Sequence, residues 1–365
     1  MKPQRKIAVE LLEIGNRNVG FGEFTYQLGA HLAARAAALR QEHGIDFYFI
    51  VPRGFKGCFG PDVSYIQTFR PIRKLLRFYP ERMDLFHVTH QFSRIKYMFF
   101  ARRNLLTIHD INFFYEKSAC KLPRYVRAFR LRLAHADDLV YISQFARADV
   151  GKHFAPKQPD RVIYNGVADF SRNASASVDL SSFGLPEHFL LHISSLQPKK
   201  NVHLLVEMMA SLPEENLVIV GNWHSGYGRR LRERIDREGL KNIFPLDHVT
   251  DAEKFALYER CKGFCFPSLC EGFGLPPVEA MKAGKPVFLS TLTSLPEVGG
   301  DCACYYSELT PAAMASATRR GLDDFAADPV QASERIRGWA GRFNWEKCAD
   351  EYIACYLDLL DKNNG

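Results

Sequence analysis

Pro267-Ser-Leu-Cys-Glu271-Gly272-Phe-Gly274-Leu-Pro-Pro-Val-Glu279-Ala-Met-Lys-Ala-Gly284-Lys-Pro286-Val is the stretch on which the reading of this chain turns. The apolar run Cys261–Phe266 ahead of it reads as a buried strand that Pro267 ends. Gly272 and Gly274 permit backbone conformations or close approaches that a Cβ would obstruct. Pro276-Pro277 pre-set the first turn of a following helix, with one proline in a favoured position. The free N–H groups and dipole at such a helix start make an anion site of the kind used for diphosphates. Glu279 is expected in the first turn, where it can accept hydrogen bonds from ribose hydroxyls. Glu271, before the loop, can grip hydroxyls of a sugar. Each glutamate has an ordinary alternative, Glu279 as a complement to the helix dipole and Glu271 as a solvated loop carboxylate. The whole layout suits a sugar attached to a nucleotide diphosphate.

Outward from this block, short apolar runs alternate with helical patterns, the signature of βα units and a parallel sheet. Strands are expected at Ile7–Leu12, Asp46–Val51, Leu85–Val88, Leu105–His109, Leu139–Ile142 and Val162–Tyr164. The clearest helix runs from Glu23 through Ala38, after a glycine-containing turn at Asn18-Val-Gly20-Phe-Gly22. Asp169 to Phe183, with Ser171-Arg-Asn-Ala-Ser-Ala-Ser177, has linker composition. A second series follows, with strands at Phe189–Ile193, Leu217–Val220, Gly263–Phe266 and Val287–Leu289. Its helices fall near Asn201–Ser211, Tyr227–Arg237, Asp251–Cys261 and Pro277–Ala283. The fold class is therefore α/β, with two halves separated by a cleft. The expected organisation is a first domain over 1–170, a linker over 171–183, a second domain over 184–343 and a terminal segment over 344–365. In such sheets ligands bind beyond the carboxyl ends of the strands.

The bulk numbers agree. A chain of 365 residues, 47% apolar, is long enough for two cores. The nine cysteines contain no CxxC pair, and Cys261, Cys265 and Cys270 straddle a strand and a loop, so no metal site is expected. The charged start Met-Lys-Pro-Gln-Arg-Lys lacks a signal peptide's cleavage region, and no apolar run approaches the roughly 18 residues of a membrane span. A cytoplasmic, reduced setting is expected. The net charge of +7 is uneven: Thr68 to Arg132 holds 15 Lys/Arg, 4 Asp/Glu and 13 aromatics, Phe99-Phe100 and Phe113-Phe114-Tyr115 among them. This suits an anionic membrane face or a phosphorylated acceptor, or else a solvated basic face with its aromatics turned inward. No nucleic-acid-binding motif accompanies the charge.

Glu271 and Glu279, with seven residues between them, resemble the paired-glutamate signature of the family-4 retaining glycosyltransferases of the two-Rossmann (GT-B) architecture. The resemblance continues through Lys282-Ala-Gly284-Lys-Pro286-Val and Ser294-Leu-Pro296-Glu297-Val-Gly299. Correctly ordered elsewhere are Gly20-Phe-Gly22, Thr107-Ile-His109-Asp110, Ser143-Gln-Phe145, Tyr164-Asn165-Gly166-Val167 and Pro198-Lys-Lys200-Asn201. The resemblance implies a helix near Trp345 to Leu360 crossing back to the first domain. It implies that Glu279 binds the ribose, and that Glu271 meets donor-sugar hydroxyls beside the backbone amides of Phe273, Gly274 and Leu275. Lys200 would neutralise the leaving diphosphate, and His109 would face the donor sugar, although a strand-end histidine bonded to backbone is the plainer reading. Gly20 and Gly22 would let the first loop approach the phosphates or the acceptor. Two positions depart from the pattern. Ser195 stands where an arginine is usual, so phosphate stabilisation falls more to Lys200, the helix start or Lys199. Glu23 replaces a frequent basic residue.

The resemblance further implies retention of anomeric configuration without a cofactor or a metal, the demands being positioning and electrostatics. The donor favoured by similarity to bacterial mannosyltransferases of surface polysaccharide assembly is GDP-mannose, ahead of UDP-linked hexoses and dTDP-rhamnose. The acceptor expected is a glycan or lipid-linked saccharide, with peripheral contact to an anionic inner membrane surface. Two rivals are a sugar-nucleotide epimerase or phosphorylase of the same architecture, and a non-catalytic binding subunit.

Overall fold

The computed structural model describes residues 4–16, 20–69, 75–95, 97–98, 101–168 and 178–362. The chain divides into two compact units, Met1–Gly166 with Phe343–Gly365, and Val167–Arg342. Asn18 and Val19 of the expected glycine turn, Phe99 and Phe100 of the basic segment, and residues 171–177 of the expected linker lie outside the described residues.

The first unit is built on seven parallel strands, β1 (Arg5–Glu10), β2 (Ile45–Pro52), β3 (Ser64–Thr68), β4 (Met83–Val88), β5 (Ala101–Ile108), β6 (Asp138–Tyr141) and β7 (Asp160–Val162). Their order is β3-β2-β1-β4-β5-β6-β7. Helices α1 (Gly20–His43), α2 (Phe113–Glu116), α3 (Leu122–Leu133) and α4 (Gln144–Phe154) follow strands β1, β5 and β6. The second unit has six parallel strands, β8 (Leu190–Ile193), β9 (Leu217–Val220), β10 (Ile243–Leu246), β11 (Gly263–Phe266), β12 (Val287–Ser290) and β13 (Cys304–Tyr306), ordered β10-β9-β8-β11-β12-β13. Its helices are α5 (Val202–Met209), α6 (Gly226–Glu238), α7 (Asp251–Arg260), α8 (Leu275–Lys282), α9 (Leu295–Gly299), α10 (Pro311–Ala327) and α11 (Pro329–Ala340). The central strands are buried on both faces, and for that reason β9 reads Leu-Val-Ile-Val without alternation. In each sheet the chain starts centrally, winds one way, then returns to wind the other. The reversal falls between β1 and β4 in one sheet and between β8 and β11 in the other, which places a crevice beyond those carboxyl ends.

Several elements differ from the sequence-based expectation. Strands β3, β10 and β13 were not expected; all three are sheet edges, where packing demands less of the sequence, and β10 even carries Pro245. Gly20 and Gly22 do not form a turn but open α1. Gly22 is there because a Cβ would lie 1.9 Å from the carbonyl oxygen of Asn16.

The last helix, α12 (Trp345–Asp361), belongs to the first unit and packs on α1 and β4. It buries Trp345, Cys348, Tyr352, Cys355, Tyr356 and Leu359 in the same core as Phe24, Leu28 and Phe47. A polar chain runs through this contact: Tyr356 Oη lies 2.7 Å from His87 Nδ1, His87 Nε2 lies 2.8 Å from Thr107 Oγ1, and Thr107 Oγ1 lies 3.0 Å from Tyr352 Oη. Gly166 admits the helix start, since a Cβ there would stand 2.5 Å from the Trp345 Cα. Ion pairs Arg35–Asp350, Arg161–Asp358 and Arg5–Asp361 lie at the rim, where solvent screens them.

Burial holds His87 neutral, with its pKa brought down from 6.5 to about 3. The native state therefore declines a proton that the unfolded chain accepts. Stability from this site is complete above pH 6.5 and drains away as pH falls toward about 3. Tyr356→Phe, by leaving His87 Nδ1 without its partner, should cost about 1–3 kcal/mol. Urea unfolding followed by circular dichroism measures this, and unchanged stability would show that the polar chain does not anchor α12.

Candidate functional site

Lys200 and Glu271 meet at the reversal point of the second sheet. Lys200 ends a 3-10 turn, Pro198–Lys200, in the loop after β8; Glu271 lies in the loop after β11. Their Nζ and Oε1 are 2.5 Å apart, and the two side chains are only 13% and 12% exposed. Lys200 Nζ also lies 5.1 Å from the centroid of the Phe266 ring, a cation–π contact that suits a poorly hydrated ammonium. The two loops are laced together by backbone: Lys199 O accepts from Leu269 N (2.8 Å) and from Ser268 Oγ (3.2 Å).

Hydroxyl groups from the end of β12 and the loop after it hold the glutamate loop. Thr293 Oγ1 accepts from Glu271 N (3.0 Å), and Ser294 Oγ donates to Phe273 O (2.8 Å) and Glu271 O (3.2 Å). Ser290 Oγ donates to Ser268 O at 2.5 Å. Of these hydroxyl residues only Ser294 falls in a stretch singled out from the sequence; Ser290 and Thr293 do not. What selects them is the need to satisfy carbonyls and N–H groups of a buried irregular loop.

Gly274 sits at φ +113° as the N-cap of α8, a conformation L side chains rarely adopt. The helix therefore begins at Leu275, two residues earlier than expected, with Pro276 and Pro277 inside its opening turn. Glu279 consequently falls in the second turn and not the first, too far along to serve chiefly as a dipole complement. Its carboxylate is oriented by α7 instead: Tyr258 Oη donates to Oε2 (2.8 Å), and Lys254 Nζ reaches Oε1 (3.1 Å). Lys254 and Tyr258 stand four apart on α7 and so share one face of it. The sequence marked that helix, but not which neighbour its face would meet. Each Glu279 oxygen keeps capacity for a further donor.

Ser195 is exposed in the loop between β8 and the 3-10 turn. Among the residues named from sequence, Ser195, Lys199, Lys200, Glu271, Phe273, Gly274, Leu275 and Glu279 all belong to the second unit. His109, Gly20 and Gly22 belong to the first.

His109 follows β5 and is 4% exposed. Its Nε2 donates to Thr89 O (3.0 Å), its backbone N–H bonds Gln91 Oε1 (3.0 Å), and the rings of Phe21 and Phe24 meet it edge-on at 4.8 and 4.7 Å. Burial brings its pKa down to about 4, opposed in part by the Thr89 carbonyl. The ring is thus neutral at physiological pH, with its one N–H committed to backbone. It can offer the Nδ1 lone pair to a hydroxyl but supplies no positive charge. Beside it His90, unremarked in the sequence, is held neutral chiefly by burial, with the charge of Arg132 also disfavouring a proton, and Phe21 stacks on it at 5.1 Å. Glu10, at the end of β1, is wholly buried, which pushes its pKa up to about 7, while Thr89 Oγ1, 2.9 Å away, pulls the other way.

Two family descriptions match this chain: Glycosyltransferase Family 4 over residues 20–169 and Glycosyl transferases group 1 over residues 181–335. The chain is 30% identical over 276 residues to O-antigen chain mannosyltransferase B of Escherichia coli, a match covering 70% of each protein. Among solved structures it is similar to sucrose-phosphate synthase from Thermosynechococcus elongatus, with a TM-score of 0.75 and 19% identity, covering 98% of this chain and 100% of that one. It is also similar to HepE of Anabaena in complex with UDP and glucose, with a TM-score of 0.69 and 18% identity, covering 98% and 100%. The structural likeness extends over nearly the whole chain. With both sheets and the paired glutamates in place, the chain belongs to the family-4 glycosyltransferases of the GT-B fold.

Proposed function

We propose that the protein transfers a hexose, mannose favoured, from a nucleotide diphosphate sugar to a glycan or lipid-linked acceptor in surface polysaccharide assembly, with retention of anomeric configuration. The observation that carries this reading is the Lys200–Glu271 pair at the sheet reversal, one helix start away from Glu279. In this reading Glu279 accepts from the ribose hydroxyls while Tyr258 and Lys254 keep its carboxylate oriented. Glu271 holds the donor-sugar hydroxyls through the carboxylate capacity that Lys200 leaves free. Lys200, with the N–H groups at the start of α8, offsets the charge that grows on the diphosphate as the glycosidic bond breaks. Lys199 adds a second ammonium in the same turn, which eases the want of an arginine at Ser195. The acceptor hydroxyl attacks from the face the nucleotide leaves, and a phosphate oxygen takes its proton, so no protein nucleophile or metal enters. The choice of mannose, with GDP as its carrier, is supported by the likeness to an O-antigen mannosyltransferase.

A peripheral stay at an anionic cytoplasmic membrane face goes with a lipid-linked acceptor. Helix α3 exposes Arg124, Arg127 and Arg130 together with Leu131, and Lys121 precedes it. No helix among the described residues is long and apolar enough to cross a membrane. Such a face suits adsorption, each basic residue near an anionic surface adding roughly 1 kcal/mol. Co-sedimentation with vesicles containing one third phosphatidylglycerol should retain the protein at low salt. Changing Arg124, Arg127 and Arg130 together to Glu should abolish retention, and equal retention would remove the membrane role.

Calorimetry with GDP, UDP and dTDP in EDTA tests the donor site. One nucleotide should bind best, and Glu279→Ala should weaken it about tenfold or more, the loss of charged hydrogen bonds. Glu271→Ala, with its melting temperature checked, should remove transfer from the matching sugar nucleotide. Wild-type transfer by that variant would sink the assignment.

A further inference from the structure

Behind Lys200 lies a buried histidine that the donor chemistry does not touch. His192, on β8, is wholly buried. Its Nδ1 lies 2.8 Å from the carbonyl oxygen of Cys265, and its Nε2 lies 2.8 Å from Ser194 Oγ. A carbonyl can only accept, so the ring hydrogen sits on Nδ1 and Nε2 carries a lone pair. The Ser194 hydroxyl must therefore donate to Nε2. Its oxygen is then left as an acceptor, and Leu196 N–H supplies the donor at 3.3 Å. The chain of bonds has one direction, from the Leu196 backbone through Ser194 to His192 and on to Cys265.

Leu196 needs that support. It holds φ +42°, a left-handed conformation without the excuse of being glycine, and its side chain is buried. Gly221, at the end of β9, makes room for the turn: a Cβ there would stand 2.3 Å from Ser194 O and 2.5 Å from Leu196 Cγ. Beyond Leu196 the chain closes the Pro198–Lys200 turn and turns left-handed again at Asn201, φ +59°. The location of Lys200 relative to Glu271 thus depends on a bend that the Ser194 hydroxyl supports by accepting from Leu196 N–H. The same histidine stacks on Phe266 at 5.6 Å and 25°, the ring over which Lys200 Nζ rests.

We propose that His192 is a positioning residue for the phosphate-facing loop: acting through Ser194, it fixes the left-handed turn at Leu196 that presents Ser195 and Lys200 to the donor diphosphate. This rests on the donor-site reading of Lys200 and Glu271. It gives a serine at position 194 a defined task, where a side chain lacking a hydroxyl would leave both His192 Nε2 and Leu196 N–H unanswered. The buried neutral state of His192, its pKa brought down to about 4 chiefly by burial and also by the charge of Lys200, keeps Nε2 open as the acceptor this arrangement requires.

The test compares binding of GDP with GMP, and of UDP with UMP, because a general loss of fold lowers all four and a misplaced phosphate loop lowers the diphosphates selectively. Melting temperatures are recorded for every variant. Ser194→Ala and His192→Asn, which keeps a donor for Cys265 O but none of the reach toward Ser194, should lower the diphosphate-to-monophosphate affinity ratio about fivefold to tenfold, the worth of one hydrogen bond. His192→Gln, whose amide oxygen stands near the place of Nε2, should hold the ratio within about twofold. An unchanged ratio in both Ser194→Ala and His192→Asn overturns the proposal, as does an equal fall with His192→Gln and His192→Asn. Lys200→Ala separates the two levels: if it leaves the wild-type ratio intact, the donor-site reading itself fails.

Discussion

The ion pair between Lys200 and Glu271 is the interaction around which the second unit is arranged. Both side chains are largely withdrawn from water, so each would be costly to hold there without the other. The pair can form only if the loop after β8 and the loop after β11 arrive at the same place. Because these strands are neighbours at the sheet reversal, their carboxyl ends deliver the loops side by side. Every further device seen in the region serves that meeting. Left-handed turns at Leu196 and Asn201 steer one loop, and Gly274 with the hydroxyls of Thr293 and Ser294 steers the other.

The chemistry that follows is electrostatic and depends on which groups are charged. The buried histidines His87, His90, His109 and His192 are all driven toward the neutral form, by burial first. They act as rigid hydrogen-bonding units, each fixed by a hydroxyl, a carbonyl or a backbone N–H. At the reversal of the second sheet the positive charge beside Glu271 is that of Lys200, a compact ammonium on a flexible stem. A neutral histidine at the end of β5 fits a different task, that of a fixed lone pair for a hydroxyl. His109 is therefore both the strand-end histidine bonded to backbone and a candidate contact for a sugar.

Much of this was legible in the residues. The central strands were readable because burial on both faces leaves unbroken apolar runs, and the paired glutamates because their spacing brackets a glycine loop and a proline-led helix start. The edge strands β3, β10 and β13 were not readable, since an edge tolerates polar residues and proline. Helices α10 and α11 also went unread, although Met314, Ala315 and Ile336 turn a buried face inward. The turn assignment at Gly20 and Gly22 failed because close packing, like a turn, selects glycine. Only the carbonyl oxygen of Asn16 tells which was meant.

By itself the sequence determined the fold class, the order of the central elements and the family to which the paired glutamates belong. These are local properties, fixed by apolar period, turn residues and motif spacing. The tertiary structure alone decided which groups face each other. It set Glu279 in the second turn under Tyr258 and Lys254, closed Lys200 on Glu271, and placed His192 and Ser194 behind them. The pairs Tyr258–Glu279, Lys254–Glu279 and Lys200–Glu271 join residues 21, 25 and 71 positions apart, and no periodicity encodes them. They arise because parallel strands bring their carboxyl ends to one edge, where each loop meets whatever the neighbouring strand delivers.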